Sequence, residues 1–335
     1  MIPAFFSESI EKDNVKCTLC PHFCILKKGQ VGKCNVRKNL NGSLYSFNSD
    51  RITTIHSDPI EKKPLYHFIP GTKSLSLAAM GCNFKCNFCQ NSSISMVSDT
   101  SEITGENISP EKIVDTAIKS GASSISYTYT EPTVYFELMF ETAKAAKQAG
   151  LKNVMVSNGF ISGSAIETIL PFMDGANIDL KSFSESFYSE QCSGKLAPVI
   201  ETIQTIVNSP CWLELTTLFI PELNTSEKEL TAIISFILET GEEIPWHVSR
   251  FFPQYKITDK DPTDIKLMEN ILERGEKMGI KYVYGGNFNS GKWGNTRCKK
   301  CGETLINRTG YQIEIINFTD GKCPNCAEKI SGVWN

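Results

Sequence analysis

Three tight clusters of cysteine constrain this sequence more than any other feature does. Of its thirteen cysteines, Cys192 and Cys211 alone lie outside the clusters. The clusters are Cys17, Cys20, Cys24 and Cys34, then Cys82, Cys86 and Cys89, and finally Cys298, Cys301, Cys323 and Cys326. The start of the chain lacks the pattern of a secretion signal, so we expect a cytoplasmic protein, in which clustered thiols more often ligate metal than form disulfides. We therefore predict three metal sites.

Composition narrows the remaining possibilities. The 335 residues are 41% hydrophobic and 21% charged, which is enough apolar surface for a large folded core. The formal net charge of -3 gives no general attraction to polyanions, so no nucleic acid partner is expected. Apolar stretches are interrupted well before the roughly 18 residues that a membrane span requires, so no membrane partner is expected either.

Between the first and third cysteine clusters, short apolar runs alternate with helical patterns. Strands are predicted at Lys73–Met80, Ala122–Tyr129, Asn153–Ser157, Gly175–Leu180, Cys211–Phe219, Pro245–Ser249 and Lys281–Gly285. Helices are predicted at Pro110–Ser120, Thr133–Ala149, Ser164–Pro171, Leu196–Asn208, Ser226–Glu239 and Asp264–Met278. Such alternation is typical of βα units around a parallel sheet. We therefore predict an α/β fold with a partial (βα)6 barrel, and a doubly wound sheet is the alternative.

Local signals mark several helix ends. Ser109-Pro110-Glu111 and Thr225-Ser226-Glu227 are typical of helix starts, and Gly121, Gly150 and Gly279 are typical of helix ends. In a barrel of this kind, functional residues are expected at the carboxyl ends of the strands.

The two flanks differ from this core, because they are rich in cysteine and lack helical periodicity. We divide the chain into a cysteine-rich N-terminal segment (1–70), the barrel (71–290) and a zinc-ribbon-like C-terminal segment (291–335). The C-terminal segment, at about 45 residues, is near the lower size limit for an independent hydrophobic core, and we expect both flanks to need metal in order to fold.

The central three cysteines lie in the loop Gly81–Cys89, directly after the first predicted barrel strand. Three convergent thiolates are one ligand short for a four-iron cluster, and an iron without a protein ligand can bind an exogenous chelate. The structural alternative is a zinc knuckle that lacks its fourth ligand, or three buried thiols.

The spacing CxxxCxΦC, in which Φ is Phe88, resembles the radical S-adenosylmethionine (SAM) superfamily. Further motifs resemble the relatives of the pyruvate formate-lyase activating enzyme, and with its flanks the whole chain resembles the radical SAM member of the AmmeMemoRadiSam system. These motifs are Gly81–Asn91, Tyr129–Thr133, Asp179–Lys181, Pro245–Phe251 and Gly286-Asn287.

The resemblance implies a [4Fe-4S] cluster on Cys82, Cys86 and Cys89, with Phe88 beside it and SAM on the fourth iron. It implies an oxygen-sensitive oxidoreductase that cleaves SAM reductively to a 5'-deoxyadenosyl radical, which takes hydrogen from a substrate. It also implies a reductant such as ferredoxin or flavodoxin, and association with Memo-like and AMMECR-type proteins. Such a radical requires a closed, dry pocket.

The zwitterionic end of SAM needs an acceptor for its ammonium and a donor for its carboxylate. Glu131 and Lys181, at the ends of two predicted strands, are the candidates. In the family a Gly-Gly-Glu motif binds the amino group where this chain has Tyr129-Thr130-Glu131, and a motif like Asp179-Leu180-Lys181 binds the carboxylate. Asn158 resembles a ribose or methionine contact. The structural alternatives are a helix N-terminal acid at Glu131 and an Asp179–Lys181 ion pair.

Three more residues are candidates because of where they lie in the pattern. His247 and Arg250 lie near the end of the sixth strand, where the family has SAM or substrate contacts, and a guanidinium there suits a carboxylate or phosphate. Cys192 is a candidate hydrogen-atom donor, with a buried structural thiol as the alternative. Cys211 is assigned no function.

The C-terminal cysteines form two paired knuckles, and Tyr311–Phe318 between them has the alternation of a hairpin. Four thiolates suit structural zinc, and rubredoxin-like iron is the alternative. The N-terminal four cysteines suit either zinc or a second iron-sulfur cluster, and His22 could replace one of them. Gly29 and Gly32 allow the loop of that site to fold back.

Two other functions compete with the leading one. Within the enzyme class, the chain could be a glycyl-radical enzyme activase, which acts on a loop of a partner protein. In a different class, it could be a non-catalytic zinc-ribbon adaptor, for which Lys299-Lys300 gives a small basic spot.

Overall fold

Short antiparallel strands build the N-terminal segment. The computed structural model describes residues 1–316, 318 and 320–335. The strands before the barrel are β1 (Ile2–Pro3), β2 (Ser7–Ile10), β3 (Asn14–Cys17), β4 (Ile25–Leu26), β5 (Arg37–Leu40), β6 (Ser43–Ser46) and β7 (Arg51–Ile52). One small sheet has the order β1-β6-β5 and a second has the order β2-β3-β4. The second sheet and the loop before β5 carry the first cysteine cluster.

An eight-stranded sheet forms the centre of the molecule. The next strands are β8 (Thr54–Pro59), β9 (Lys73–Ala78), β10 (Glu106–Asn107), β11 (Ser124–Tyr127), β12 (Lys152–Ser157), β13 (Gly175–Asp179), β14 (Trp212–Phe219), β15 (Trp246–Arg250) and β16 (Val283–Gly286). Strand β10 pairs with β7, and the others join one sheet in chain order. The strands from β9 to β16 run parallel, and β8 pairs antiparallel with β9 at one edge.

This strand order decides between the two predicted architectures. A doubly wound sheet reverses its strand order at a switch point, whereas here the order follows the chain, and among the described residues β8 and β16 do not pair. The sheet is therefore a partial barrel, and the predicted α/β class is confirmed. Strand β8 comes from the N-terminal segment and was not predicted.

Helices follow the strands. They are α1 (Ser92–Ser95), α2 (Pro110–Lys119), α3 (Phe136–Gln148), α4 (Gly163–Ile169), α5 (Glu185–Phe187), α6 (Ala197–Val207), α7 (Glu227–Gly241) and α8 (Ile265–Met278). As predicted, Ser109 and Ser226 cap α2 and α7 by accepting hydrogen bonds from the backbone N–H groups of Lys112 and Glu229. Gly279 ends α8 in the left-handed conformation, at φ +119°. In the part of the chain that the structure describes, no helix has both the length and the apolar character to cross a membrane.

Alternation along the parallel strands separates the barrel interior from the helical layer. In β14, Glu214, Thr216 and Leu218 point to one face, and Leu215 and Thr217 point to the other. Thr216 and Leu218 face a cavity, whereas Leu215 is completely buried in the main core. The concave side of the sheet is therefore polar enough to bind a ligand.

The C-terminal segment contains a hairpin that is displaced from its predicted position. Its strands are β17 (Thr296–Arg297), β18 (Thr304–Thr309) and β19 (Gln312–Ile315). The hairpin was predicted within Tyr311–Phe318, but it begins earlier in the chain. Tyr311 lies in the turn between β18 and β19. Gly310, at φ +61°, supplies the left-handed turn position. Asn317 of the predicted stretch lies outside the described residues.

This segment packs against the last strand of the sheet and against the loop between β8 and β9. The Arg308 guanidinium donates to the carbonyl of Tyr66 in that loop, 2.8 Å away. The hydroxyl groups of Tyr284 in β16 and Thr296 are 3.0 Å apart. The C-terminal segment therefore links β16 to the β8–β9 loop.

A buried ion pair attaches the N-terminal segment to the barrel. Arg37 of β5 contacts Glu137 in the first turn of α3, and their side chains are 1% and 3% exposed. The Glu137 carboxylate also accepts from the Phe5 N–H and the Ser49 hydroxyl, both at 2.7 Å. A carboxylate at this end of a helix is favoured by the helix dipole.

Replacing Arg37 should therefore be costly. Arg37→Met leaves the Glu137 charge buried without its partner, so we expect the free energy of unfolding to fall by about 3–5 kcal/mol in urea denaturation of the metal-loaded protein. Glu141→Gln is the matched control, because it breaks an exposed ion pair with Lys144 on the same helix and should change stability by less than about 1 kcal/mol. Equal losses in the two variants would contradict a structural role for the buried pair.

Candidate active site

A cavity of about 480 Å³ opens at the carboxyl ends of the parallel strands. Its wall includes Ser157 of β12, Asp179 of β13, Thr216 and Leu218 of β14 and Ser249 of β15. The barrel prediction placed the functional site at this end of the sheet. The cavity is therefore the candidate active site.

The loop after β9 brings the central cysteines to one side of this cavity. Cys82, Cys86 and Cys89 all line it. Gly81, at φ +106°, precedes them, and a Cβ at this position would lie 2.4 Å from the Val36 side chain. Glycine is therefore required here both by the backbone conformation and by the N-terminal segment packed behind the loop.

A second segment supports the loop from another side. The backbone N–H of Lys85 donates to the Cys192 carbonyl at 2.8 Å, and that of Asn87 donates to the Gln191 carbonyl at 2.9 Å. Cys192 ends a π-helical turn and is completely buried, outside the described lining of the cavity. Its side chain is thus placed to position the cysteine loop, and its predicted role as a hydrogen-atom donor has no contact with the cavity to support it.

The electrostatics of the three thiols fit a metal cluster. Burial raises the pKa of Cys82 and of Cys89. For Cys86, the hydrogen bond with Cys192 is the largest cause of a raised pKa, and burial is the second. The thiols are protonated unless a cation compensates their charge, and coordinated iron does so. The donor set of three convergent cysteines therefore fits a [4Fe-4S] cluster with one iron free of protein ligands.

Glu131 lies in the cavity wall and is held by four hydrogen bonds. Its Oε1 atom accepts from the Thr133 N–H at 3.0 Å, from the Thr133 hydroxyl at 2.6 Å and from the Ser157 hydroxyl at 2.8 Å. Its Oε2 atom accepts from the Asn158 N–H at 2.8 Å. Burial raises the pKa of this carboxyl, although these donors oppose the shift. The Oε2 atom retains room for a further donor, such as an ammonium group.

Lys181 and Asp179 form a pair at the end of β13. The Lys181 Nζ atom is 2.8 Å from Asp179 Oδ2, and both side chains line the cavity. Burial lowers the pKa of Lys181, but the Asp179 carboxylate and Cys86 outweigh burial, so the pKa is raised and the ammonium stays charged. The Lys181 Nζ atom also lies 5.8 Å from the centre of the Phe88 ring, which links it to the cysteine loop.

Asn158 joins the Glu131 side of the cavity to the cysteine side. Its Nδ2 atom lies 2.9 Å from Asn83 Oδ1 and 3.7 Å from the Cys82 sulfur. Its Oδ1 atom accepts from the Phe160 N–H at 2.8 Å. Asn158 is thus oriented by its neighbours toward a ligand of the cluster.

Tyr129 stands where the family motif has a glycine, and its backbone is in the left-handed conformation. It has φ +64°, a conformation that glycine adopts freely and tyrosine does not. The Tyr129 hydroxyl donates to Asp58, its carbonyl accepts from Asn91 at 2.6 Å, and Lys63 Nζ lies 4.4 Å from its ring centre. These contacts hold Tyr129 in this left-handed conformation.

Two further predicted site residues, like Cys192, lie outside the described lining of the cavity. His247 faces the interior but lies two residues deeper than Ser249, and its Nε2 atom is 2.6 Å from Glu214 Oε2. The Arg250 Nε atom donates to the Thr263 carbonyl at 2.6 Å. These contacts support structural roles, and the SAM or substrate contacts of His247 and Arg250 remain predictions.

Three residues from the flanks line the cavity and were missed. They are Lys62, Lys63 and Tyr311. Lys63 is 1% exposed and donates to Asp58 at 2.7 Å, and burial lowers its pKa to about 8. No local pattern in the sequence distinguishes these residues, because the flanks reach the cavity through tertiary contacts.

The C-terminal four cysteines converge on a compact group. The sulfur atoms of Cys298 and Cys326 are 3.6 Å apart, as are those of Cys301 and Cys323, and all four lie within 4.8 Å of one another. This arrangement fits one bound metal ion, as the sequence predicted.

The family model of the radical SAM superfamily matches residues 78–234, and the chain belongs to this superfamily. An uncharacterized protein of Methanocaldococcus jannaschii is 42% identical over 333 residues, covering 98% of this chain and 99% of that protein. SuiB of Streptococcus suis bound to S-adenosylmethionine aligns with a TM-score of 0.52 and 16% identity, over 72% of this chain and 56% of SuiB. A radical SAM methyltransferase of Sphaerobacter thermophilus aligns with a TM-score of 0.50 and 11% identity, over 71% of each chain.

At these identities the two solved structures establish the fold alone, and the family model establishes the superfamily. The predicted superfamily is therefore confirmed, and with it the class of cofactors, an iron-sulfur cluster and SAM. The cavity that holds the cysteine loop is the site where these cofactors fit.

The contacts of Glu131 and Lys181 predict the cost of losing either one. Glu131→Gln and Lys181→Met should each weaken SAM binding at least about tenfold, because one charge of the zwitterion loses its partner. Calorimetric titration of anaerobically reconstituted protein with a full iron content measures this. Glu141→Gln and Lys152→Met remove exposed charges away from the cavity and should leave the affinity unchanged. If all four variants bind SAM like the parent, other groups hold the zwitterion.

Proposed function

We propose that this chain is a radical SAM enzyme that abstracts hydrogen from a substrate bound in the barrel cavity. The observation that carries the proposal is that one cavity is lined by Cys82, Cys86 and Cys89 together with Glu131 and Lys181. When bound, a [4Fe-4S] cluster supplies the electron that cleaves SAM into methionine and a 5'-deoxyadenosyl radical.

The residues of the chain have distinct parts in this proposal. The three thiolates bind iron, Glu131 accepts a hydrogen bond from the SAM ammonium, and Lys181 donates to the SAM carboxylate. Asp179 keeps Lys181 oriented through their 2.8 Å contact. Asn158 donates toward the Cys82 sulfur and so helps to hold the cluster ligand in place.

In this proposal, the two flanks exclude water from the cavity. Lys62 and Lys63 from the N-terminal segment and Tyr311 from the C-terminal hairpin border the cavity. A primary carbon radical reacts with whatever it meets, so a covered pocket is a requirement of the chemistry. The proposal therefore gives the flanks a direct share in function.

For the C-terminal site we propose structural zinc. Tetrahedral zinc with Zn–S bonds of about 2.3 Å places its thiolates about 3.8 Å apart, close to the 3.6 Å separations in this group. The segment around it packs on β16 and the β8–β9 loop, where Tyr284 contacts Thr296 and Arg308 donates to the Tyr66 carbonyl. Zinc would thus stabilise the packing of this segment on the barrel rather than take part in the reaction.

The proposed kind of enzyme carries further expectations. The sequence motifs support an assignment to the radical SAM member of the AmmeMemoRadiSam system, with Memo-like and AMMECR-type partners. Radical SAM enzymes generally need a reductant, and we propose ferredoxin or flavodoxin in the cytoplasm, where an oxygen-sensitive cluster is best protected. The division into segments 1–70, 71–290 and 291–335 remains a prediction.

Removing the C-terminal thiols tests the zinc assignment. Replacement of Cys298, Cys301, Cys323 and Cys326 by serine should remove about one zinc per chain and leave the iron content unchanged. Elemental analysis of the purified protein measures both metals. A loss of about one iron would establish the rubredoxin-like alternative, and unchanged metal content would refute a metal role for this group.

Removing the central thiols tests the enzyme assignment. The triple variant Cys82→Ala, Cys86→Ala and Cys89→Ala should abolish 5'-deoxyadenosine formation from SAM after anaerobic reconstitution and reduction, because these cysteines are the proposed cluster ligands. Chromatography of the reaction products measures it, and Cys211→Ser is the control that should retain activity. Continued 5'-deoxyadenosine formation in the triple variant would refute the assignment.

The same assay separates the competing functions. A non-catalytic zinc-ribbon adaptor would form no 5'-deoxyadenosine even with the parent sequence. A glycyl-radical enzyme activase would form it and would leave a stable radical on a partner protein, which electron paramagnetic resonance detects.

A further inference from the structure

The N-terminal four cysteines face one another at the edge of the β2-β3-β4 sheet. Cys17 ends β3, and its N–H donates to the Cys24 carbonyl at 2.9 Å, which closes the turn that carries Cys20. Cys34 comes from the loop before β5, and its sulfur and the Cys24 sulfur both lie beside Gly32. The four thiols thus form one group.

The spacing of this group differs from that of the C-terminal group. Among the described residues, the C-terminal four are the one group in which three or more ligand atoms lie within 4.8 Å of one another. Any three of the N-terminal sulfurs therefore include a pair more than 4.8 Å apart, whereas the thiolates of a single tetrahedral zinc lie about 3.8 Å apart. The central three cysteines also include a pair more than 4.8 Å apart. A cluster holds several iron and sulfide atoms between its ligands, so its thiolates must stand further apart.

Gly32 leaves space next to two of these sulfurs. A Cβ built on Gly32 would lie 3.7 Å from the Cys34 sulfur and 3.8 Å from the Cys24 sulfur. Gly32 does not have the left-handed conformation that would by itself require glycine. The absence of a side chain therefore keeps the space beside these sulfurs free, where cluster atoms would lie.

His22 links this group to the central cysteine loop. Its Nε2 atom is 2.8 Å from the Asn83 carbonyl oxygen in that loop, and its ring centre lies 4.9 Å from that of Phe160. Four thiolates are a complete donor set for a four-iron cluster, so the site does not require His22 as a ligand.

The N-terminal group packs directly against the central cysteine loop. A Cβ on Gly81 would lie 3.5 Å from the Cys34 carbonyl oxygen, and Asn35 donates to the Val97 carbonyl at 2.8 Å. His22 adds the bond to Asn83. The two cysteine groups are thus neighbours with no intervening element.

We propose that Cys17, Cys20, Cys24 and Cys34 hold a second [4Fe-4S] cluster beside the first. This site is distinct from the proposed catalytic one, because its four ligands are complete without SAM. The inference holds or fails independently of the proposed function.

The central triple alanine variant isolates this site, because it removes the first cluster and leaves the N-terminal cysteines intact. After anaerobic reconstitution with iron, sulfide and zinc, it should retain about four irons and four sulfides per chain, together with the zinc of the C-terminal group. Mössbauer spectroscopy should show a four-iron cluster with thiolate ligands throughout. Retention of less than one iron with about two zincs would overturn the proposal in favour of zinc.

Two further variants assign the retained iron to particular residues. In the same triple background, Cys20→Ser should lower the iron content or alter the Mössbauer spectrum of the cluster, since it removes one ligand. Cys211→Ser removes a buried thiol far from any cysteine cluster along the chain, and should leave the iron content and spectrum unchanged. If Cys20→Ser also leaves both unchanged, the iron is bound elsewhere and the proposal is wrong.

Discussion

The packing of the Gly81–Cys89 loop between two other segments is the constraint on which the rest of the structure depends. The loop has no regular secondary structure, yet it must hold three thiols together in a buried place. Val36 blocks any side chain at Gly81, and the Phe84 ring would lie 2.2 Å from a Cβ on Gly194. Backbone hydrogen bonds to the residues around Cys192 hold the other side. The loop is therefore preorganised by residues far away in the sequence, and metal binding need not supply the entropy of ordering it.

The hydrogen bonds of Glu131 connect this loop to the strands. The carboxylate is bound by Thr133, Ser157 and the Asn158 backbone, and the Asn158 side chain continues to Asn83 and the Cys82 sulfur. A change at one end of this network alters the position of the other. The ligand for a cation and the ligands for iron are thus held in one arrangement, as preorganised electrostatic sites require.

Local sequence patterns were sufficient to predict the strands and the helix caps. The parallel strands and the caps at Ser109 and Ser226 follow from apolar runs and capping residues, so the sequence was sufficient for them. How deep a residue lies in the barrel is a tertiary property, so the sequence did not show that His247 lies two residues deeper than Ser249, and its SAM or substrate contact remains a prediction. The hairpin lies earlier in the chain than predicted, because its turn forms at Gly310 and not within the alternating stretch that follows. Lys63 and Tyr311 reach the cavity from flanks whose path no periodicity describes.

The two flanks are best understood together with the open edge of the barrel. A closed barrel would satisfy both edges by pairing, but among the described residues β8 and β16 do not pair, and the C-terminal segment packs on β16 and the β8–β9 loop. The N-terminal segment is tied to α3 by Arg37 and Glu137 and packs against the cysteine loop through Val36. Its residues Val15 and Leu26 are buried in the main core, so apolar burial stabilises this segment, and a bound metal would add to that stability. Because both flanks also border the cavity, we expect loss of metal from a flank to loosen the cover of the active site.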